Sequence, residues 1–149
     1  MGLFDKIRQT KTQESQITLG PAESFAAITL VVVAADGYLA DAEVRLLTTV
    51  LSRMQLFRSY PDDVMRRMFD KLGNLLQRHG AQALIDAAIK SLPQDLYDTT
   101  FAIATDLILA DGEVTQEEEN LLTSLCQALE IPEATAQEII HVMIIKNKG

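Results

Sequence analysis

The 149 residues are 48% hydrophobic and 23% charged, with 13 Lys and Arg against 21 Asp and Glu for a net charge of −8. That is one domain's worth of chain, apolar enough to fold around a core, and 7 Gly with 4 Pro exclude collagen-like or low-complexity character. A surplus of carboxylates repels phosphate, which argues against nucleic acid and anionic membranes and in favour of cations or basic proteins as partners.

The opening Met1-Gly2-Leu3-Phe4-Asp5-Lys6-Ile7-Arg8 has a short amphipathic start but no apolar stretch of signal-peptide length, and Lys6 stands where a myristoylation signal needs Ser or Thr. Residues 1–20 read as a loosely ordered N-terminal arm, followed by a helical domain over 21–149. Gly20-Pro21-Ala22-Glu23 predicts a helix start, with Pro at the first position and an acid in the first turn, running to about residue 35. The segment Ile28–Val33 has strand propensity, and a buried strand is the rival reading; five alanines at 22, 26, 27, 34 and 35 favour helix. At 11 residues, Phe25–Ala35, apolar but for Thr29, is the longest such stretch and falls short of the roughly 20 that a membrane span requires.

Val44, Leu47, Leu51 and Met54 predict a second helix over 41–54. A third opens at Tyr60-Pro61-Asp62-Asp63 and ends near His79-Gly80, a short one covers 81–91, and Leu92-Pro93 starts the next, which runs to 110. The last two are expected over 115–129 and 133–146, broken at Ile131-Pro132. No alternating strand pattern with hairpin turns is present, so the expected fold is an all-α, single-domain bundle of about seven helices.

An internal repeat organises this bundle. Ala35-Asp36-Gly37 through Thr48 aligns without a gap with Ala110-Asp111-Gly112 through Thr123, 75 residues later, and seven of fourteen positions are identical. Ala27-Ile28 matches Ala102-Ile103 at the same offset, so the repeated unit is an apolar helix, an Asp-Gly turn and an amphipathic helix. In each turn, Asp, Gly, an apolar residue and Glu fall where positions 5, 6, 8 and 12 of a calcium loop would fall. Val32 and Ala34, or Leu107 and Leu109, occupy the positions of the first two ligands, so neither turn makes the usual calcium cage alone. Asp36 with Glu43, and Asp111 with Glu118, could still offer carboxylates to a weakly held divalent cation.

Helix initiation is the leading reading of the same residues. Thr115-Gln116-Glu117-Glu118 spells a capping box, which accounts for Glu118 without a metal. The first turn has Ala40 in place of Thr115, so Glu43 is expected to lack a reciprocal capping partner. Capping and cation binding are compatible, and the residues leave both open.

The paired Asp-Gly-x-x-x-x-x-Glu turns, their separation and the opening Phe4-Asp5-Lys6-Ile7 resemble the TerB-like tellurite-resistance family over nearly the whole chain. The resemblance implies an all-helical fold, no established enzymatic activity, and a role in a stress-response system that also includes acidic, calcium-associated proteins and a TerC-type membrane protein. It implies a cytoplasmic protein, peripheral to the inner membrane only through a partner, and leaves homo-oligomerisation open. In such families the acidic turns are proposed to bind metal. Carried onto this chain, the ligand candidates are Asp36, Glu43, Asp111, Glu117 and Glu118, with Asp41 and Asp106 as weaker ones. Calcium best suits such an all-oxygen set, with zinc and magnesium as alternatives. The family's additional acid before the Glu is kept as Glu117 but replaced by Ala42 in the first turn, which makes the first turn the poorer site although Asp41 partly compensates.

Asp106 sits among Ala102, Ile103, Leu109 and Ala110 at helical spacing, and its carboxylate is expected to pair with an Arg of the third helix. Cys126 reads as a core residue, His79 and His141 as non-ligands, the Met residues as core stripes, and Arg66, Arg67 and Lys71 as a solvated basic face. No nucleophile elbow, phosphate loop, metalloprotease motif or His–Cys pairing supports an enzyme. The expected function is a non-enzymatic metal-stress module that binds cations weakly and acts through protein partners. The alternative is a scaffold whose acidic face docks a basic or membrane-anchored partner without metal. Residues 1–92 carry 10 acids and 11 bases, and residues 93–149 carry 11 acids and 2 bases, so the net charge concentrates around Asp111–Glu119.

Overall fold

A computed structural model of the chain describes residues 17–34, 39–110 and 112–148. Among these the fold is all-α, with seven α-helices and no strand: α1 (Pro21–Val33), α2 (Asp41–Leu51), α3 (Asp62–His79), α4 (Ala81–Ser91), α5 (Tyr97–Leu109), α6 (Gln116–Ala128) and α7 (Glu133–Lys146). Short 3₁₀ turns at Gln55–Phe57 and Gln94–Leu96 precede α3 and α5. The predicted second helix therefore stops at Leu51, before Met54, and the predicted start at Leu92-Pro93 is a 3₁₀ turn in which the Leu96 N–H donates to the Pro93 carbonyl at 3.0 Å.

The strand rival at Ile28–Val33 is settled as helix. Every residue from Ser24 to Val32 is buried, so α1 is apolar on all sides because it is the bundle's central rod. It packs against α2, α3, α4 and α5, most extensively against α4. By contrast α3 is amphipathic, with Met65, Met68, Phe69, Leu72 and Leu76 turned inward at spacings of three and four. Between α3 and α4 the chain turns at Gly80, whose φ of 86° suits a residue without a Cβ. Ile17 and Leu19 pack on the core, so the last residues of the expected N-terminal arm are anchored; residues 1–16 lie outside the described residues.

The start of α1 shows how the helices are tied together. Glu23 Oε1 accepts the N–H of Gly20 at 3.1 Å, and Oε2 accepts from Lys71 Nζ of α3 at 2.6 Å. Burial raises the Glu23 carboxyl's pKa, but the Lys71 ammonium and the Gly20 amide outweigh it and leave a net downward shift. Lys71 thus contributes to packing between helices, while Arg67 pairs with Asp63 on the open surface.

Candidate functional site

The second acidic turn joins α5 to α6. Ala110 continues the α5 ladder by donating to Asp106 O at 3.0 Å, and Gly112 N–H then donates to Leu109 O at 3.1 Å with φ at 79°, a left-handed closure of the helix that suits glycine. Thr115 begins α6 with both halves of the expected capping box. Its Oγ1 accepts from Glu118 N–H at 3.1 Å, and Glu118 Oε1 accepts from Thr115 N–H at 3.0 Å. Thr115→Ala should lower stability by about 1 kcal/mol, read from the urea midpoint with an unchanged m-value; an unchanged midpoint would show that the box carries no weight.

Glu43 lacks a reciprocal partner, as expected, yet helix initiation accounts for it after all. Its Oε1 accepts the Ala40 N–H at 2.9 Å, so Glu43 caps α2 from the third helical position although Ala40 has no hydroxyl to return the bond. Glu23, Glu43 and Glu118 therefore perform the same task at three helix starts. One oxygen of a back-bonded carboxylate suffices for the amide; the other is taken by Lys71 in Glu23, and in Glu43 and Glu118 it makes no hydrogen bond to a described residue.

Around the second turn, Glu113, Glu117 and Glu119 are exposed, and no described residue forms an ion pair with them or with Glu118. No three metal-ligating side chains converge among the described residues, and both turn aspartates, Asp36 and Asp111, lie outside them. Asp41 is exposed at the start of α2.

Asp106 is paired, but not with an Arg of α3. Its Oδ1 accepts from Lys146 Nζ at 3.1 Å and from Asn147 Nδ2 at 2.8 Å, tying the end of α7 to α5. Sequence reading placed the partner in the wrong helix because the chain returns to α5 forty residues later, and no local periodicity reports that return.

The sequence also gave no sign of a cleft of about 770 Å³ beside the acidic turn, a size ordinary for a ligand pocket. Helices α6 and α7 both pack on α5 but touch each other little, and the space between them is lined by Phe101, Thr105 and Leu109 of α5, Leu122 and Cys126 of α6, and Ala136, Ile140 and Ile144 of α7. Glu119, Glu130 and Glu133 contribute its acidic lining. Glu130 has φ 54° and closes α6: its N–H donates to Gln127 O, and that of Ile131 to Cys126 O. Cys126, half-buried rather than deep in the core, donates its thiol to Ile131 O at 3.4 Å. Burial first, and then the Glu133 carboxylate, raise its pKa, so it is a poor thiolate.

A bundle of seven described α-helices, built on a helix–turn–helix unit that the sequence repeats, places the chain among all-α helical modules. The chain belongs to the TerB tellurite-resistance family, whose model, described as "Tellurite resistance protein TerB", matches residues 22–141. It is accordingly a tellurite-resistance-associated domain. No curated protein and no solved structure matches the chain. No described helix is long and apolar enough to cross a membrane.

Proposed function

We propose that this chain is a non-enzymatic module of a tellurite or metal-stress response that takes up a divalent cation weakly at its second acidic turn and acts through protein partners. The observation that carries this reading is the uncompensated charge of that turn: no Lys or Arg occurs between Lys90 and Lys146, and Glu117 is exposed and makes no hydrogen bond to a described side chain. The ligands would be Asp111, Glu117 and the free oxygen of Glu118, completed by water or by a partner's side chains. Calcium, which accepts such incomplete oxygen sets with water, is the best-suited ion. Asp36 and Glu43 form the poorer counterpart, because Ala42 replaces the additional acid.

Calorimetric titration of the chelated chain with calcium, zinc and magnesium tests this. Saturable heat at millimolar metal is expected, weakened by Asp111→Ala and by Glu117→Gln more than by Asp36→Ala. Glu117→Gln is the cleaner variant because Glu117 caps nothing. No heat and no thermal shift with any of the three ions would overturn the cation reading.

The scaffold reading is favoured by the capping bonds of Glu43 and Glu118, which give both residues a structural task. In that version the apolar cleft between α6 and α7, with Glu119, Glu130 and Glu133 in its lining, receives a basic amphipathic segment of a partner, such as the cytoplasmic part of a membrane-anchored protein.

A further inference from the structure

Two helices of the bundle are apolar on every side, and only one of them is covered. Every residue of α1 from Ser24 to Val32 is buried, whereas α7, which carries Ile139, Ile140, Val142, Met143, Ile144 and Ile145 in its second half, fully buries Ala136 alone. Among the described helices α7 packs substantially only on α5. Ile144 lines the cleft toward α6, but Val142 and Ile145, one turn apart on the helix, lie outside that cleft and are 55% and 58% exposed.

Beside them, where Lys146 reaches Asp106, a stripe of α5 is open as well. Ser24, Ala27, Ile28 and Val31 of α1 are at most 1% exposed, while their repeat mates Thr99, Ala102, Ile103 and Asp106 on α5 are all partly exposed. A helix that is apolar all round belongs in an interior. Among the described residues α7 has no neighbour on its outer side.

We propose that the neighbour is α7 of a second copy of this chain, packed antiparallel about a two-fold axis at Val142. The face carries its own complement: Glu138 stands four residues before Val142 and Lys146 four residues after it. An antiparallel two-fold therefore sets Val142 against Val142, brings Ile145 level with Ile139, and places Glu138 opposite the second copy's Lys146 on both sides of the axis. Glu138 is exposed and forms no ion pair with a described residue. Lys146 donates one hydrogen bond to Asp106 at 3.1 Å, its side chain is 58% exposed, and the ammonium has further donors for a second carboxylate. A membrane is the poorer occupant, because the half of the chain that carries this face has a net charge of −9, which repels anionic lipid. A contact of one helix on one helix falls below the roughly 1,200 Å² of a standard interface, so the dimer is weak and concentration-dependent.

Sedimentation equilibrium of the full chain from about 10 μM to about 1 mM, the range in which so small a contact should dissociate, tests this. The expected result is the mass of one chain at the low end, rising reversibly toward two. Val142→Asp, at an exposed position, should leave thermal unfolding cooperative and hold the chain monomeric throughout. Glu138→Lys and Lys146→Glu should each weaken self-association at least about tenfold when measured alone, because each sets like charges opposite one another across the axis. A mixture of these two variants should pair again, since both contacts across the axis are then Lys against Glu. If Lys146→Glu loses cooperative unfolding along with its bond to Asp106, Val142→Asp and Glu138→Lys decide the matter. A chain that stays monomeric at about 1 mM overturns the proposal, as does a dimer that survives Val142→Asp or Glu138→Lys. A mixture that fails to pair although both variants fold overturns it too.

Discussion

Phe25→Ala is expected to remove about 3–5 kcal/mol of stability, within the range for deleting a buried aromatic ring and its cavity cost. Phe25 is fully buried in α1 and meets Phe57 edge-on at 6.3 Å, and Phe57 in turn meets Tyr60 at 5.5 Å. These edge-to-face contacts hold the 3₁₀ turn between α2 and α3 against the central helix, so the loss exceeds simple transfer of the ring. A domain of this size has only about 5–15 kcal/mol in total, so the variant should retain a native baseline but unfold at a much lower urea midpoint. A loss below about 1 kcal/mol would contradict the central position of α1, because a ring at a solvent-facing helix costs little to truncate.

The helices were legible because their signals are local. Gly20-Pro21 starts α1, Thr115 starts α6 and Pro132 precedes α7, and each boundary falls where the cap chemistry requires. The end of α2 was not legible: Met54 keeps the helical spacing, yet the chain leaves the helix at Leu51 so that Phe57 can reach the core, a demand set by tertiary packing.

At the candidate site, the turn geometry at Gly112 and the box at Thr115 followed from the sequence, whereas the Glu43 bond did not. The expectation required a hydroxyl at Ala40, but the backbone N–H needs only an acceptor three residues on, and Glu supplies it whatever the N-cap residue is. The cleft between α6 and α7 was invisible for a different reason. Its walls come from three helices spread over more than forty residues, and nothing in the pattern of Leu122, Cys126, Ala136 and Ile140 distinguishes a residue that lines a gap from one that fills a core.

Val31→Asp is the second severe substitution, and its logic is internal to the repeat, since Asp is what the second half carries at the equivalent position, Asp106. Asp106 is tolerated because its side chain retains 18% exposure and finds Lys146 and Asn147. Val31 is 1% exposed, on a helix whose own last turn carries no basic residue. A carboxylate there must either lose its hydration unpaired or take up a proton, and a buried unpaired charge costs several kcal/mol. Measured by far-UV circular dichroism at pH 7, Val31→Asp should abolish the cooperative transition, with partial recovery as the pH falls: burial raises the carboxyl pKa above its unfolded value, so the protonated, less costly form gains population toward acid. The reciprocal change, Asp106→Val, should cost no more than about 1 kcal/mol, because Lys146 remains solvated and Asn147 keeps its bond to Met143 O. Equal losses for the two variants would mean that the stripes on α1 and α5 are equally enclosed in solution, whereas the large asymmetry expected here follows from the unequal burial of two helices that share one repeat.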